Sequence, residues 1–505
     1  MRRLLYALAF IAFALIVAAV IGLFVLACGC VGDTMVTAAR FSALRANDHT
    51  GLRAFLKAMP KGADLHVHLS GAVYAEDFIG WAAAAKLCVQ RSDYKIVAPD
   101  SQQQCVAPQT RPAADALTDQ SFYDDVVNAL SMRNYIPSLS EPSGHDQFFV
   151  TFGKYGEISW RVPGQMTALL LRRYAAEQVQ HTELMITLTP QEPELTKELL
   201  ADVGKAGDPA AKLAVLKDYI AQAVPNARQN IDAWQAETRK ELGCDGGTPE
   251  PGCDVSYRYI AQVNRNSDEA KVFAGTALAA ALVRADPRVG GLNFVGPEDY
   301  RTARADYRDH MKMIGFLTKK AGVVEAVPVA LHAGELWLGL VPPNDLTFHI
   351  REAVETAGAK RIGHGVALAY ERRSDELLAT MRRTKVAVEV NLTSNDVILG
   401  VRGKDHPLTA YRAAKVPVAL STDDAGVSRI DLTNEYFRAA RDYPLGYRDL
   451  KEIARASIEH AFLADHVKAG AFKQLDDTFR RFEQDVVKQG SLFGNAWALV
   501  VSWFR

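Results

Sequence analysis

Eight short apolar segments, separated by helical patterns, predict an α/β fold, a (β/α)8 or TIM barrel. Three observations carry the expectation. Segments such as Val327–Leu331 and Val416–Leu420 are apolar throughout, as strands of a parallel sheet covered on both faces are. Strand and helix patterns alternate from His66 onward. Polar clusters follow the segments on the C-terminal side, where barrels of this kind place their chemistry. A doubly wound open sheet is the alternative, but no G-x-G-x-x-G opens a helix here.

The 505 residues are 49% hydrophobic with a net charge of -1. No basic excess points to nucleic acid, and no charge block points to a disordered tail. A barrel with insertions absorbs this length, so the expected organisation is a leader at 1–30 and one domain at 31–505. Leu4 to Ala27 is almost uninterruptedly apolar behind Arg2 and Arg3. Such a stretch exceeds the roughly 7–15 apolar residues of a cleaved signal and reaches the ~20 that span a bilayer. Val25-Leu26-Ala27-Cys28 also resembles a lipoprotein cleavage box, so an uncleaved anchor, an acylated Cys28 and a plain cleaved signal are the three readings. All three export the remainder, to a periplasmic or extracellular site, and the first two hold it at the membrane. Of six cysteines, Cys28 and Cys30 belong to the leader. Cys88 with Cys105, and Cys244 with Cys253, fall in loop-like stretches and are expected to form local disulfides in an oxidising compartment.

In chain order, Arg40–Met59 reads as a helix leading through Pro60-Lys61-Gly62 into a first strand, Asp64–Leu69. A long insertion, about 71–181, follows, with helical pieces at Ala75–Leu87 and Phe122–Met132. Further strands are expected at Glu183–Leu188, Val255–Val263, Val289–Val295, Val327–Leu331, Arg361–Gly365, Val386–Asn391 and Val416–Leu420. Between them lie helices at Leu213–Leu242 with a break at Pro225, Asp268–Arg284 capped by Ser267, Arg304–Ala321 stopped by Gly322, Leu346–Ala357, Asp375–Arg383 and Leu408–Ala414. Asn391-Leu392-Thr393 matches a glycosylation sequon, but it ends an expected strand and reads as structural.

The chemistry-bearing residues sit at these strand ends. His66 and His68 lie two apart on the first strand and so share a face. His332 and Glu335 follow the fifth, His364 the sixth, and Asp423 and Asp424 the eighth. Three imidazoles and one carboxylate make a nitrogen and oxygen shell suited to zinc, with room for a water. Zinc lowers the pKa of such a water to about 7. Glu335 and His364 are then the remaining titratable groups for acid and base roles.

The motifs Met59-Pro60-Lys61-Gly62, His66-Val67-His68, His332-Ala333-Gly334-Glu335, Ile362-Gly363-His364-Gly365 and Ser421-Thr422-Asp423-Asp424 together resemble those of adenosine deaminases. The lead-in, the insertion and the leader resemble the secreted, growth-factor-related branch. The resemblance covers roughly 55–465 and implies one zinc ion held by His66, His68, His332 and Asp423. It implies Glu335 as proton donor to purine N1, His364 orienting or deprotonating water, Asp424 at N7 and the Gly296 backbone at N3. The expected activity is hydrolytic deamination of adenosine or 2′-deoxyadenosine outside the cytoplasm. Another aminopurine derivative, or a surface-binding protein with secondary catalysis, are the alternatives. Two positions depart from the family pattern. Ser70 stands where a ribose-contacting aspartate is common, and Asn293 where an acidic residue is common. The expected partner is a small purine nucleoside, with homodimerisation and closure over the substrate as the two roles weighed for the insertion.

Overall fold

The computed structural model describes residues 32–139, 143–188, 193–319 and 326–490. The expected leader at 1–30, with Cys28 and Cys30, lies outside the described residues, as does the Gly322 helix stop. Among the described residues no helix is long and apolar enough to cross a membrane.

Eight strands form the centre: β1 (Gly62–His68), β2 (Val179–Ile186), β3 (Ser256–Asn264), β4 (Val289–Val295), β5 (Ala330–Ala333), β6 (Arg361–His364), β7 (Ala387–Val390) and β8 (Val418–Leu420). They pair in parallel as β1-β2-β3-β4 and β5-β6-β7-β8. Single bridges, Leu292 to Val329 and Val67 to Asp423, join the two halves into a closed ring in chain order. The open-sheet alternative is thereby excluded. Along β1, Leu65 and Val67 belong to the apolar core, while Asp64 and His66 are buried polar groups. The period-2 alternation thus separates an apolar face from one that carries chemistry.

Several expected boundaries move for identifiable reasons. The first helix is two, Asp33–Asn47 and His49–Ala58, because the Asp48 carboxylate accepts the Gly51 N–H at 2.8 Å and starts a new helix. The Lys217–Glu241 helix runs through Pro225 unbroken. Its buried face of Tyr219, Ala223, Ala227 and Ile231 offsets the roughly 3 kcal/mol that an interior proline costs. Ser267 caps nothing: the helix is Glu269–Ala285, flanked by Asp268, whose side chain makes no cap bond. The fifth strand starts and ends later than its apolar run, so His332 lies within β5, and His364 lies within β6.

The chain between β1 and β2 carries a three-stranded antiparallel sheet of Cys88–Gln90, Ile96–Val97 and Thr110–Pro112. A Cys88–Cys105 disulfide ties it, and Cys244–Cys253 closes the turn before β3, as expected. Two helices that the sequence reading left unassigned follow, His145–Ser159 and Pro163–Ala176. The second packs on β2 and on the Lys217–Glu241 helix, and so belongs to the outer ring.

Candidate active site

At the C-terminal end of the barrel the strand-end residues converge. His66 Nε2 and His68 Nε2 each lie 3.1 Å from His332 Nε2. Asp423 Oδ1 is 3.5 Å from His66 Nε2 and 3.4 Å from His68 Nε2. His364 Nε2 is 3.9 Å from Asp423 Oδ2. His66, His332, His364 and Asp423 form one group whose ligand-capable atoms lie within 4.8 Å of one another, and His68, Asp423 and Asp424 form a second.

Outer partners determine which ring nitrogens carry protons. His66 Nδ1 donates to Glu389 Oε2 at 2.6 Å, and His332 Nδ1 donates to Asn293 Oδ1 at 2.9 Å. A neutral imidazole protonated at Nδ1 presents a bare lone pair at Nε2. When both rings are neutral, the two Nε2 atoms face each other across 3.1 Å with no proton between them, beside Asp423 Oδ1, which has no hydrogen-bond partner. Lone pairs and a buried carboxylate oxygen aimed at one point repel unless a cation sits among them. The donor set of imidazole nitrogens and a carboxylate oxygen therefore fits a metal ion. Asn293 fills the position of the missing acid as a neutral acceptor, taking both the ring and the backbone N–H of His332.

Asp423 and His364 both hold backbone φ values in the left-handed region, +60° and +67°. Such residues cost about 1–3 kcal/mol and persist where surrounding structure imposes them. Ser394 Oγ donates to Asp423 Oδ2 at 2.6 Å, and Asn395 Nδ2 donates to His364 Nδ1 at 2.8 Å. Burial, the largest influence on His364, pushes it down to about 3, so it is neutral near pH 7.

Glu335 is 6% exposed, with Oε1 3.4 Å from His364 Nδ1. Burial first, then the charges of Asp423 and Glu298, push its carboxyl well above the usual range. That shift favours the protonated form, the state from which a carboxyl can give up a proton. Gly334 precedes it with φ +74°, and a Cβ there would lie 2.8 Å from Ile350 Cγ1, so the turn that aims Glu335 admits only glycine. Asp424 is buried, with Oδ1 unpartnered, and fits because Gly71 has no side chain: a Cβ there would lie 1.6 Å from that oxygen.

His68, His332, Glu335, Asp423 and Asp424 line a cavity of about 260 Å³, with Ser70 and Gly296 along its walls, while His66 and His364 adjoin it through His332 and Glu335. The structure thus brings His66, His68, Ser70, Gly296, His332, Glu335, His364, Asp423 and Asp424 into one site. Sequence reasoning missed the residues that hold them. Glu298 accepts the backbone N–H groups of Gly334 and Glu335 at 3.0 and 2.8 Å and pairs with His349 at 2.5 Å. Glu389 is shared between His66 and Arg361, whose other amino group meets Glu183 at 2.5 Å. The available signal was a charged residue inside a short apolar strand, as Glu389 is in Val386–Asn391. The aromatic lining, Phe148, Phe149 and Phe152, comes from the unassigned insertion helix.

A closed barrel with such a cation-seeking cluster beside a buried acid defines a metal-dependent hydrolase. The adenosine deaminase family model matches residues 227–478. An adenosine deaminase of Clostridium perfringens is 31% identical over 254 residues, 50% of this chain and 64% of that protein. The matched stretch therefore spans under two thirds of that relative's length. The N6-methyl-AMP deaminase of Arabidopsis thaliana, at 18% identity, superposes with a TM-score of 0.53 over 84% of this chain and 98% of that one. An amidohydrolase of Burkholderia ambifaria with bound zinc, at 16% identity, does so at 0.51 over 87% and 96%. The chain belongs to the adenosine deaminase family of the metal-dependent hydrolases.

Proposed function

We propose that this protein is a zinc-dependent deaminase converting adenosine and 2′-deoxyadenosine to inosine and 2′-deoxyinosine, with release of ammonia. The observation that carries the reading is the juxtaposition of His66, His68, His332 and Asp423, whose ring nitrogens and carboxylate oxygen converge within 3.1–3.5 Å contacts, with the buried carboxyl of Glu335. Those four residues would hold the ion, which supplies Lewis-acid chemistry that acidifies water near neutral pH. Zinc is favoured by the nitrogen-rich donor set and by the zinc-bound fold relative.

The chain's own groups do the rest. Glu335 donates its proton to purine N1, which makes C6 electrophilic. Neutral His364, fixed by Asn395, orients water toward C6. Addition gives a tetrahedral carbon; of the water's two protons, one passes by way of His364 to the 6-amino group, which leaves as ammonia, and the other restores Glu335, while N1 keeps the proton it received. Asp424 holds the N7 edge and the Gly296 backbone the N3 edge. The deep position of Glu335, 6% exposed, keeps water off the proton being transferred.

Export is part of the reading. It is supported by the two local disulfides and by the apolar stretch from Leu4 to Ala27, which would tether the enzyme at the membrane as an anchor or lipoprotein. A second reading, another aminopurine derivative as substrate, is favoured by the fold relative named for N6-methyl-AMP. The test is adenosine absorbance followed with and without a chelator. The expected result is loss of activity on chelation and recovery with added zinc. No absorbance change from the zinc-loaded protein would overturn the reading.

A further inference from the structure

The cavity has a direction. Its closed end is made by His332, Glu335, Asp423 and Asp424, each at most 6% exposed, and its mouth by Asn264 and Tyr300, the latter 48% exposed. A purine whose reacting edge meets Glu335 must therefore turn its sugar, and the 5′ carbon beyond it, toward the mouth.

The wall on that side comes from the His145–Ser159 helix of the insertion. Phe148 and Phe152 are one turn apart and share a face, with Phe149 beside them. The Phe148 ring lies 5.3 Å from Phe149 and 5.8 Å from Phe152. Tyr155 continues the row at 5.8 Å and stacks on Phe78 at 4.7 Å. The wall is also pinned across the cavity. His145 Nε2 meets Asp299 Oδ1 at 3.0 Å, on the loop that carries Gly296 and Tyr300. An aromatic surface is thus held opposite the β4 loop rather than left to swing.

Charge is distributed to match. The described residues lining the cavity include no lysine or arginine, while Asp423, Asp424 and Glu335 are carboxyl groups. Arg265 lies behind the site, but its Nη2 is spent on the carbonyl oxygens of Phe294 and His332 at 2.7 and 3.3 Å. The polar groups along the wall, Ser70, Gln262 and Asn264, are uncharged and suit hydroxyls. A 5′-phosphate turned toward the mouth would lie against the aromatic wall, with no lysine or arginine among the described lining residues to pair with it, which is costly.

Resting on the deaminase reading, we propose that the insertion helix makes this site selective for purine nucleosides with an uncharged, apolar 5′ substituent, and closes it to nucleoside 5′-phosphates. Phe149 and Phe152 are the specificity-determining residues, and the selectivity is opposite to that named for the N6-methyl-AMP deaminase sharing the fold.

The test compares adenosine, 5′-deoxy-5′-methylthioadenosine and AMP with the zinc-loaded full chain. The methylthio nucleoside should exceed adenosine in kcat/KM by about tenfold, since it buries a methyl and a thioether where adenosine buries a hydroxyl. AMP should fall about a hundredfold or more below adenosine. In Phe152→Ser and Phe149→Ser the methylthio-to-adenosine ratio should drop toward one. AMP within about threefold of adenosine, or a ratio that ignores both substitutions, overturns the proposal. If none of the three is deaminated, the deaminase reading fails on its own. Equilibrium binding of the same three compounds then decides: methylthio tighter than adenosine, and both tighter than AMP, supports the apolar subsite. Any other order, or no binding, overturns it.

Discussion

His66 shows how a single residue is fixed for its task. Its Nε2 faces the cation-seeking cluster, and its Nδ1 donates to Glu389, whose second oxygen is bonded by Arg361. A carboxylate behind a ligating imidazole fixes ring orientation and raises basicity, and losing one commonly costs 10–100-fold in metal affinity. Glu389→Gln keeps the shape but removes the charge, so zinc affinity is expected to fall by about that factor with the fold intact. Competitive chelator titration alongside circular dichroism measures it. Affinity equal to that of the parent would show that Glu389 only fills space. The ligand and acid candidates were readable in the sequence because they sit in motifs at strand ends, where spacing alone puts His66 and His68 on one face. Glu389, Glu298 and Arg361 were not, because their roles depend on contacts between residues far apart in the chain: Arg361 on β6 reaches Glu183 on β2, Glu389 on β7 reaches His66 on β1, and Glu298 after β4 reaches His349.

At the scale of elements, the strands were read well because their apolar runs are short and bounded, and the closed ring follows from their alternation with helices. Boundaries moved where local chemistry competed with pattern. Asp48 splits the first helix by capping the second, whereas Pro225 fails to break a helix held by its buried face. The insertion resisted reading because its helices bury against one another and the site rather than following barrel periodicity. One close approach links the β1 loop to the β8 loop: Gly71 lies against Asp424, with no room for a Cβ. Gly71→Ala is expected to destabilise the protein by about 1–3 kcal/mol, the usual consequence of forcing a methyl into packed structure. It should also lower kcat/KM, since Asp424 must shift. Denaturant unfolding and kinetics check both, and a variant with parental stability and turnover would show that the two loops can move apart freely.

For the molecule as a whole, the barrel centre is tied by a buried ionic chain, Glu183 to Arg361 to Glu389. Burial, the largest influence, would raise the Glu183 carboxyl, but the Arg361 guanidinium and the His181 ring together outweigh it and hold the group down at about 2, against an ordinary 4.5. Because the folded value lies below the unfolded one, the stabilisation is complete above pH of about 4.5 and is lost as pH falls toward about 2. The shift corresponds to roughly 3 kcal/mol. The stability difference between the parent and Glu183→Gln, from urea unfolding, should therefore shrink between pH 5 and pH 2 by about that amount. A difference independent of pH would mean that Glu183 is not held ionised by Arg361 and His181. The central claim is that a cation at the strand ends and a separate acid, Glu335, act together in one barrel. Metal content measured beside adenosine turnover in Glu335→Gln and His332→Ala tests it most directly. Glu335→Gln should keep about one zinc per chain while turnover falls about 10²–10⁴-fold, and His332→Ala should lose both. An emptied metal site in Glu335→Gln, or full turnover in that variant, would contradict the account.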